Sequence, residues 1–241
     1  FASIWIHTLK LPWTLGAAFF LKHLFDGDPA SNTLSWRWVA GLHTVGKTYL
    51  ATAENIEKYT GGRIQTSAHL ASEPITFDNT ASNAPLVDLR PLPSIPQNGR
   101  IGLLISEDDL SAREWISKQL ELKSSAGLIP RAAYAQHEIS NRVYQFRASG
   151  LRSSLDHNEP IDTDIDAVIA WAIQHQLEYV CISEPTIGIW NAITPALTAG
   201  LKQQNIQLIP IRHWFDQHFY PEASRGFFRF KKAIPAALER L

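Results

Sequence analysis

Residues 67–98 carry five prolines among many Ser, Asn and Ala residues and show no sustained hydrophobic period. Proline fixes φ and removes a backbone donor, so such a stretch favours neither a long helix nor a central strand. It reads as an extended linker and divides the chain in two. The flanking segments follow different periods. Residues 1–66 place apolar residues at helical spacing, whereas residues 99–241 alternate strand and helix signals.

In the first segment, residues 1–24 read as helical, with Pro12 as a break or first-turn residue. Asp26-Gly27-Asp28-Pro29 reads as a turn. Ser31 or Asn32 is then expected to cap a helix over 33–42, ended near Gly41. A short helix is expected over 51–59, closed by Gly61-Gly62.

In the last segment, RIGLLIS and EYVCIS (178–183) read as buried strands, and IQLIPIRHW (206–214) as another. AGLIPRAAY is expected to hold a further strand. Ser111-Ala112-Arg113-Glu114 has the form of a capping box opening a helix to about residue 122. Further helices are expected over 135–151, 162–176 and 189–204, with a terminal helix interrupted by Pro235. Strand–helix–strand alternation implies parallel pairing with right-handed crossovers. The expected fold class is therefore mixed: an all-α segment followed by a Rossmann-like α/β domain over 99–241.

At 241 residues with 45% hydrophobic content the chain can bury a real core. The formal net charge of -1 gives no overall basic field, so any nucleic-acid contact rests on a local patch or on further protein. The single cysteine, Cys181, excludes an internal disulfide framework and fits a reducing, cytoplasmic setting. No apolar run reaches the roughly 20 residues needed to span a bilayer. The chain has no Met and opens on an amphipathic run, FASIWIHTLKLPW. It is expected to be the C-terminal part of a longer protein.

Between Asp26 and Gly41 the sequence reads DGDPASNTLSWRWVAG. Two acids, an amide one turn later and a W-x-W on a helix can provide fixed polar partners and large aromatic faces. The same residue types also make an ordinary turn and helix cap. Four of the eight Trp residues, Trp5, Trp13, Trp36 and Trp38, fall in the first 38 positions. A single Trp ordinarily packs a core or an interface. Trp36 and Trp38, two apart on a helix, face different sides.

The pattern D-x-D-x-x-x-N-x-x-x-W-x-W, with Trp13 upstream and Tyr59-Thr60-Gly61-Gly62-Arg63 downstream, resembles the helical FAD-binding domain of the DNA photolyase/cryptochrome family. The resemblance runs from Trp13 to about Arg63. It implies that residues 1–66 are the C-terminal part of that domain and that FAD is the cofactor. It further implies that Asp26 and Asp28 lie near the isoalloxazine ring and that Asn32 faces flavin N5. Trp36 would be the flavin-proximal Trp of an electron-transfer chain, Trp13 its middle member, and Trp38 a wall of the cavity that receives the damaged base pair.

The implied activity is blue-light-driven cleavage of pyrimidine dimers in damaged DNA, a carbon–carbon lyase reaction. Cryptochrome-like light sensing without repair is the alternative. The family's phosphate-binding segment, outermost Trp and acid-pairing Arg lie upstream of this region. An upstream part of the same protein is therefore expected to complete the site. An α/β segment after the flavin core resembles the C-terminal extension of a bacterial photolyase-related group with a G-F-F-x-F-x-x-x-I-P ending, here residues 226–235.

The remaining signals are weaker. Glu107-Asp108-Asp109 and Glu184-Pro185 each follow a strand, where α/β folds place ligand groups. A solvated loop is the plainer reading. Nine histidines lack metal-ligand spacing, so no metal is expected. Residues 225–232 (RGFFRFKK) combine four basic and three aromatic residues. That composition suits nucleic acid, but the plainer reading is a helix face whose cations snorkel over an apolar core.

Overall fold

The computed structural model describes residues 1–43, 47–66, 69–77, 88–225 and 227–239. The chain separates into two compact units, Phe1–Asn83 and Ala84–Leu241. The expected linker over 67–98 lies partly outside the described residues, at 67–68 and 78–87, as does Gly226 of the terminal pattern.

The first unit is helical. A π-helical turn, Ile4–Thr8, precedes α1 (Trp13–His23), α2 (Pro29–Val39) and α3 (Ala53–Tyr59). Pro12 directly precedes α1, where its fixed φ costs the helix nothing. The start of α2 differs from expectation. Its cap is Asp28, whose Oδ1 accepts from the backbone N–H groups of Ala30 and Ser31 at 2.8 and 3.0 Å. Pro29 then occupies the first helical position, where its missing N–H is no loss, so the helix begins before Ser31 and Asn32. Thr52 caps α3 through Asn55.

The small core of this unit is Ile6, Ala17, Trp36 and Ala40, flanked by Trp5, Trp13 and Phe20. His7 ties three segments together. Its Nδ1 accepts from the N–H of Ile75 at 3.1 Å, so Nε2 carries the proton and donates to Val39 O at 3.0 Å.

The second unit is a five-stranded sheet with order β3-β2-β1-β4-β5, all pairs parallel. The strands are β1 (Ile101–Ser106), β2 (Ser124–Leu128), β3 (Ile161–Asp162), β4 (Tyr179–Ser183) and β5 (Gln207–Ile211). Strand β1 is central and buried along its whole length, which matches its unbroken apolar run. Its side chains alternate between two cores. Leu103 and Ile105 join Ile116, Tyr134 and Leu151 on one face. Leu104 joins Val168, Trp171, Trp190 and Leu197 on the other.

Helices α4 (Ala112–Ile116), α5 (Arg131–Gln136) and α6 (Asn141–Ser153) supply the first face. Helices α7 (Ile165–Gln174) and α8 (Ile189–Gln203) supply the second. Helix α9 (Trp214–Phe219), a 3-10 turn (Tyr220–Arg225) and α10 (Phe227–Leu238) complete the unit.

Several elements depart from the sequence reading. The helix expected over 135–151 is two helices, because Ser140 caps a new start through Val143. Ser111 makes no side-chain cap on α4. Its hydroxyl and its N–H turn back to Asp109 instead, and α4 is only five residues long. Asp162 lies in β3, and Asp164 caps α7 through Ala167. Pro235 does not interrupt α10, whose turns on either side are held by packing of Phe230 on Phe219 (5.4 Å between centroids) and by burial of Ala237. Phe227 and Phe228 do not cover an apolar core: they are 65% and 81% exposed.

Candidate functional site

The site residues singled out by sequence fall on α1, on α2 and on the loop between them. Asn32 and Trp36, one turn apart, occupy the buried face of α2. Trp36 is 3% exposed, and its ring meets Phe20 of α1 edge-on at 5.2 Å. The close approach depends on Gly16. A Cβ placed there would stand 2.2 Å from Trp36 Cη2, well inside van der Waals contact.

Asn32 is buried and donates its Nδ2 to Ala17 O at 2.9 Å, a polar tie between the two helices. Among the described residues no other hydrogen bond engages that side chain, so Oδ1 and one amide hydrogen are available to a partner. Trp13, half-buried at the start of α1, packs against the cluster that contains Trp36.

The two acids stand apart from this core. Asp26 and Asp28 are exposed in the α1–α2 loop. Oδ1 of Asp28 is committed to the helix cap, so this carboxylate serves the turn as well as any ligand. Trp38 faces the opposite way from Trp36. It is 46% exposed, stacks on Tyr49 at 5.8 Å, and borders a hollow of about 610 Å³. Phe1, Ile4, Tyr59 and Ile64 also line this hollow, giving it an apolar wall. The structure thus gathers Asn32, Trp36 and Trp13 around one core, places the acids at its surface loop, and sets Trp38 on a separate face.

Sequence reasoning passes over His7, and its plainer reading of Glu107 as part of a solvated loop does not hold. His7 is one of nine scattered histidines, and only its contacts with Val39 and Ile75 reveal a buried clamp. In the second unit Glu107 is not in a solvated loop. It is 8% exposed at the end of β1, with Oε1 accepting from Tyr134 Oη at 2.7 Å and Oε2 from Trp190 Nε1 at 2.8 Å. Burial, reinforced by the neighbouring Asp108 charge, pushes its carboxyl above the usual range despite both hydrogen bonds. A strand followed by E-D-D gives no hint that the first acid turns inward.

Glu184 follows β4 and is held by Arg212 (2.5 and 2.8 Å) and Arg90 (2.9 Å) beside a hollow of about 460 Å³. Burial opposes its charge, but the two guanidiniums outweigh burial and lower its pKa. Cys181 lies inside the sheet, where burial pushes its thiol up to about 12, so it is no nucleophile. Among the described residues no group of three or more His, Cys, Asp or Glu could hold a metal ion, and no helix is long and apolar enough to cross a membrane.

Residues 1–60 match the family model of the FAD binding domain of DNA photolyase. Over 43 residues the chain is 51% identical to a deoxyribodipyrimidine photo-lyase of Streptomyces griseus, which covers 18% of this chain and 10% of the relative. Over 48 residues it is 38% identical to a protein of the same name from Buchnera aphidicola, covering 20% and 10%. Over 41 residues it is 44% identical to a cryptochrome DASH of Idiomarina loihiensis, covering 17% and 9%. The chain spans about a tenth of the length of these curated relatives. No solved structure matches it.

FAD is the cofactor of the matched domain, and the residues present suit it. A flavin's pyrimidine edge offers an N–H donor flanked by carbonyls. Carboxylates accept from the former, and an Asn amide can serve either kind of partner. The buried Asn32 amide, one turn from a buried indole, has spare bonding capacity of that kind.

Proposed function

We propose, on the match of its first sixty residues to the FAD binding domain of DNA photolyase, that the chain is part of a blue-light-driven DNA-repair flavoprotein. Its residues would form one wall of the FAD site, completed by an upstream part of the same protein. The reaction class is carbon–carbon bond cleavage in a pyrimidine dimer, and damaged DNA is the substrate. The observation that carries this reading is the joint burial of Asn32 and Trp36 on one face of α2, inside the matched region.

FAD, when bound, supplies light absorption and one-electron chemistry. The chain's own groups set its surroundings. Asn32, fixed by its bond to Ala17 O, would present its remaining amide groups to the flavin in one orientation, and Asp26 and Asp28 would offer acceptors at the loop. Trp36 fills the core and, with Trp13 packed against the same cluster, provides indoles that can relay an electron inward to oxidised flavin. Trp38, stacked on Tyr49, provides an aromatic wall against which a base extruded from the duplex can rest. The parallel sheet of the second unit is a Rossmann-like layer appended to the flavin core.

Light sensing without repair is the second reading, favoured by the similarity to a protein named cryptochrome DASH. A repair assay on the full-length protein separates the two. Loss of dimers from a damaged oligonucleotide under blue light, and none in darkness, supports repair. Normal photoreduction with no dimer loss rejects repair in favour of sensing.

A further inference from the structure

Helix α10 carries one face that is anchored and one that is not. Phe230 packs on Phe219, Ala237 is buried, and Ala233 and Ile234 are half-buried. At 100° per residue these positions share one side of the helix. An adjoining arc, from the flank of that side round to its back, carries Phe227, Leu238, Lys231, Phe228 and Lys232, all exposed. Phe227 with Lys231 and Phe228 with Lys232 are each four apart, so each ring has an ammonium as its neighbour on the helix surface. The preceding helix extends the aromatic character: Trp214 and Phe215 of α9 are each 45% exposed, and Phe219 links them to α10.

Charge decides what such a face fits. Within 227–239 there are three cations, Arg229, Lys231 and Lys232, against one acid, Glu239. Arg229 is engaged by Glu222 at 3.9 Å; Lys231 and Lys232 are exposed, Lys232 at the edge of a hollow it shares with His218, Glu222 and Arg229. In a chain of net charge -1 this is a local reversal of sign. Exposed rings beside cations match a strand whose bases offer flat faces and whose phosphates recur beside them. A purely apolar partner would leave the lysines unmatched. A solvated helix has no use for two exposed phenylalanines in succession.

We infer that the Phe227/Phe228–Lys231/Lys232 face of α10 is a binding surface for single-stranded nucleic acid, with bases stacking on the two rings and phosphates meeting the two lysines. The surface lies in the α/β unit, outside the region that matches the flavin domain. It deepens the DNA-repair reading but does not need the flavin, light or a lesion.

The test is fluorescence anisotropy of a labelled, undamaged oligothymidylate with the full-length protein, in darkness. The wild type should bind, with affinity falling as salt rises. Phe227→Ala with Phe228→Ala should weaken binding at least about tenfold, the effect expected for one or more stacked bases. Lys231→Gln with Lys232→Gln should reduce the salt slope by about 0.7 for each phosphate no longer neutralised. Both pairs are exposed, so circular dichroism should be unchanged in each.

Unchanged affinity in the ring variant overturns the inference, and so does binding to anionic phospholipid vesicles with none to the oligonucleotide. Flavin content and dimer repair, measured on the same samples, report separately on the repair reading. Dark binding abolished in the ring variant while repair persists still supports the surface. Repair absent while wild-type dark binding is sensitive to the rings rejects only the catalytic reading.

Discussion

Gly16 and Trp36 stand in obligate contact: a methyl group at position 16 would lie 2.2 Å from the Trp36 ring. The absence of a side chain on α1 is what allows the indole of α2 to be buried between the helices. Ala is the better helix former by about 1 kcal/mol. The overpacking cost of about 1–3 kcal/mol is larger where the neighbour is a rigid ring. Gly16→Ala should therefore destabilise the first unit. A thermal melt of the variant checks the sign.

Asn32 makes a second contact between the same helices. Asn32→Ala removes the bond to Ala17 O and should cost about 1 kcal/mol. Asn32→Asp should cost more near neutral pH, because a carboxylate faces a carbonyl oxygen and has no proton to share. Protonation restores a donor, so the introduced acid has a raised pKa in the folded state. Its relative stability is then highest below the normal carboxylate range and is lost as pH rises through the raised pKa. Denaturant titrations of the two variants across pH test this. In the flavin-loaded protein, Asn32→Asp should also change which reduced form of the cofactor accumulates, read by absorbance during redox titration.

Glu107 gives a pH prediction in the second unit. Its carboxyl is raised by burial and by Asp108, so the folded state holds the proton more tightly than the unfolded chain does. The stability it contributes is complete below the ordinary value of 4.5 and falls as pH rises through the raised value. Glu107→Gln keeps the shape without the titration. The difference in melting temperature, wild type minus variant, should decrease as pH rises from acid toward neutral. Glu107→Ala, which leaves Tyr134 Oη and Trp190 Nε1 without their acceptor, should cost about 1–3 kcal/mol for each group.

Expectation and structure agree where packing follows a simple period. The run around β1 is legible because all six residues are apolar or small and all are buried. The opposite facing of Trp36 and Trp38 follows from helix geometry alone. Polar ends are harder to read. Asp28, rather than Ser31 or Asn32, caps α2 because Pro29 is better at the first helical position than inside the helix. Ser111 has the sequence of a cap, yet Asp109 two residues earlier competes for its N–H and its hydroxyl. The burial of His7 and of Glu107 is not legible in the sequence, for one reason. Their partners lie 32 and 68 residues away for His7, and 27 and 83 for Glu107, and no local pattern encodes such pairs.

The sequence names candidate residues, and the fold sets their arrangement. Asn32, Trp36 and Trp13 meet around one core. Asp26 and Asp28 sit at its exposed loop, with the Asp28 carboxylate partly committed to the helix cap. A sequence motif specifies residue types in order; which oxygen a cap consumes is set only when the helix forms.

The central role proposed for Trp36 is that of the last indole in an electron route to the oxidised flavin. The measurement is light-driven flavin reduction in the full-length protein carrying Trp36→Phe, with Trp38→Phe as the comparison. Trp36→Phe should retain FAD and reduce it at a small fraction of the wild-type rate, while Trp38→Phe, on the other face of α2, should reduce it normally. An unchanged rate in Trp36→Phe with FAD retained would contradict that role.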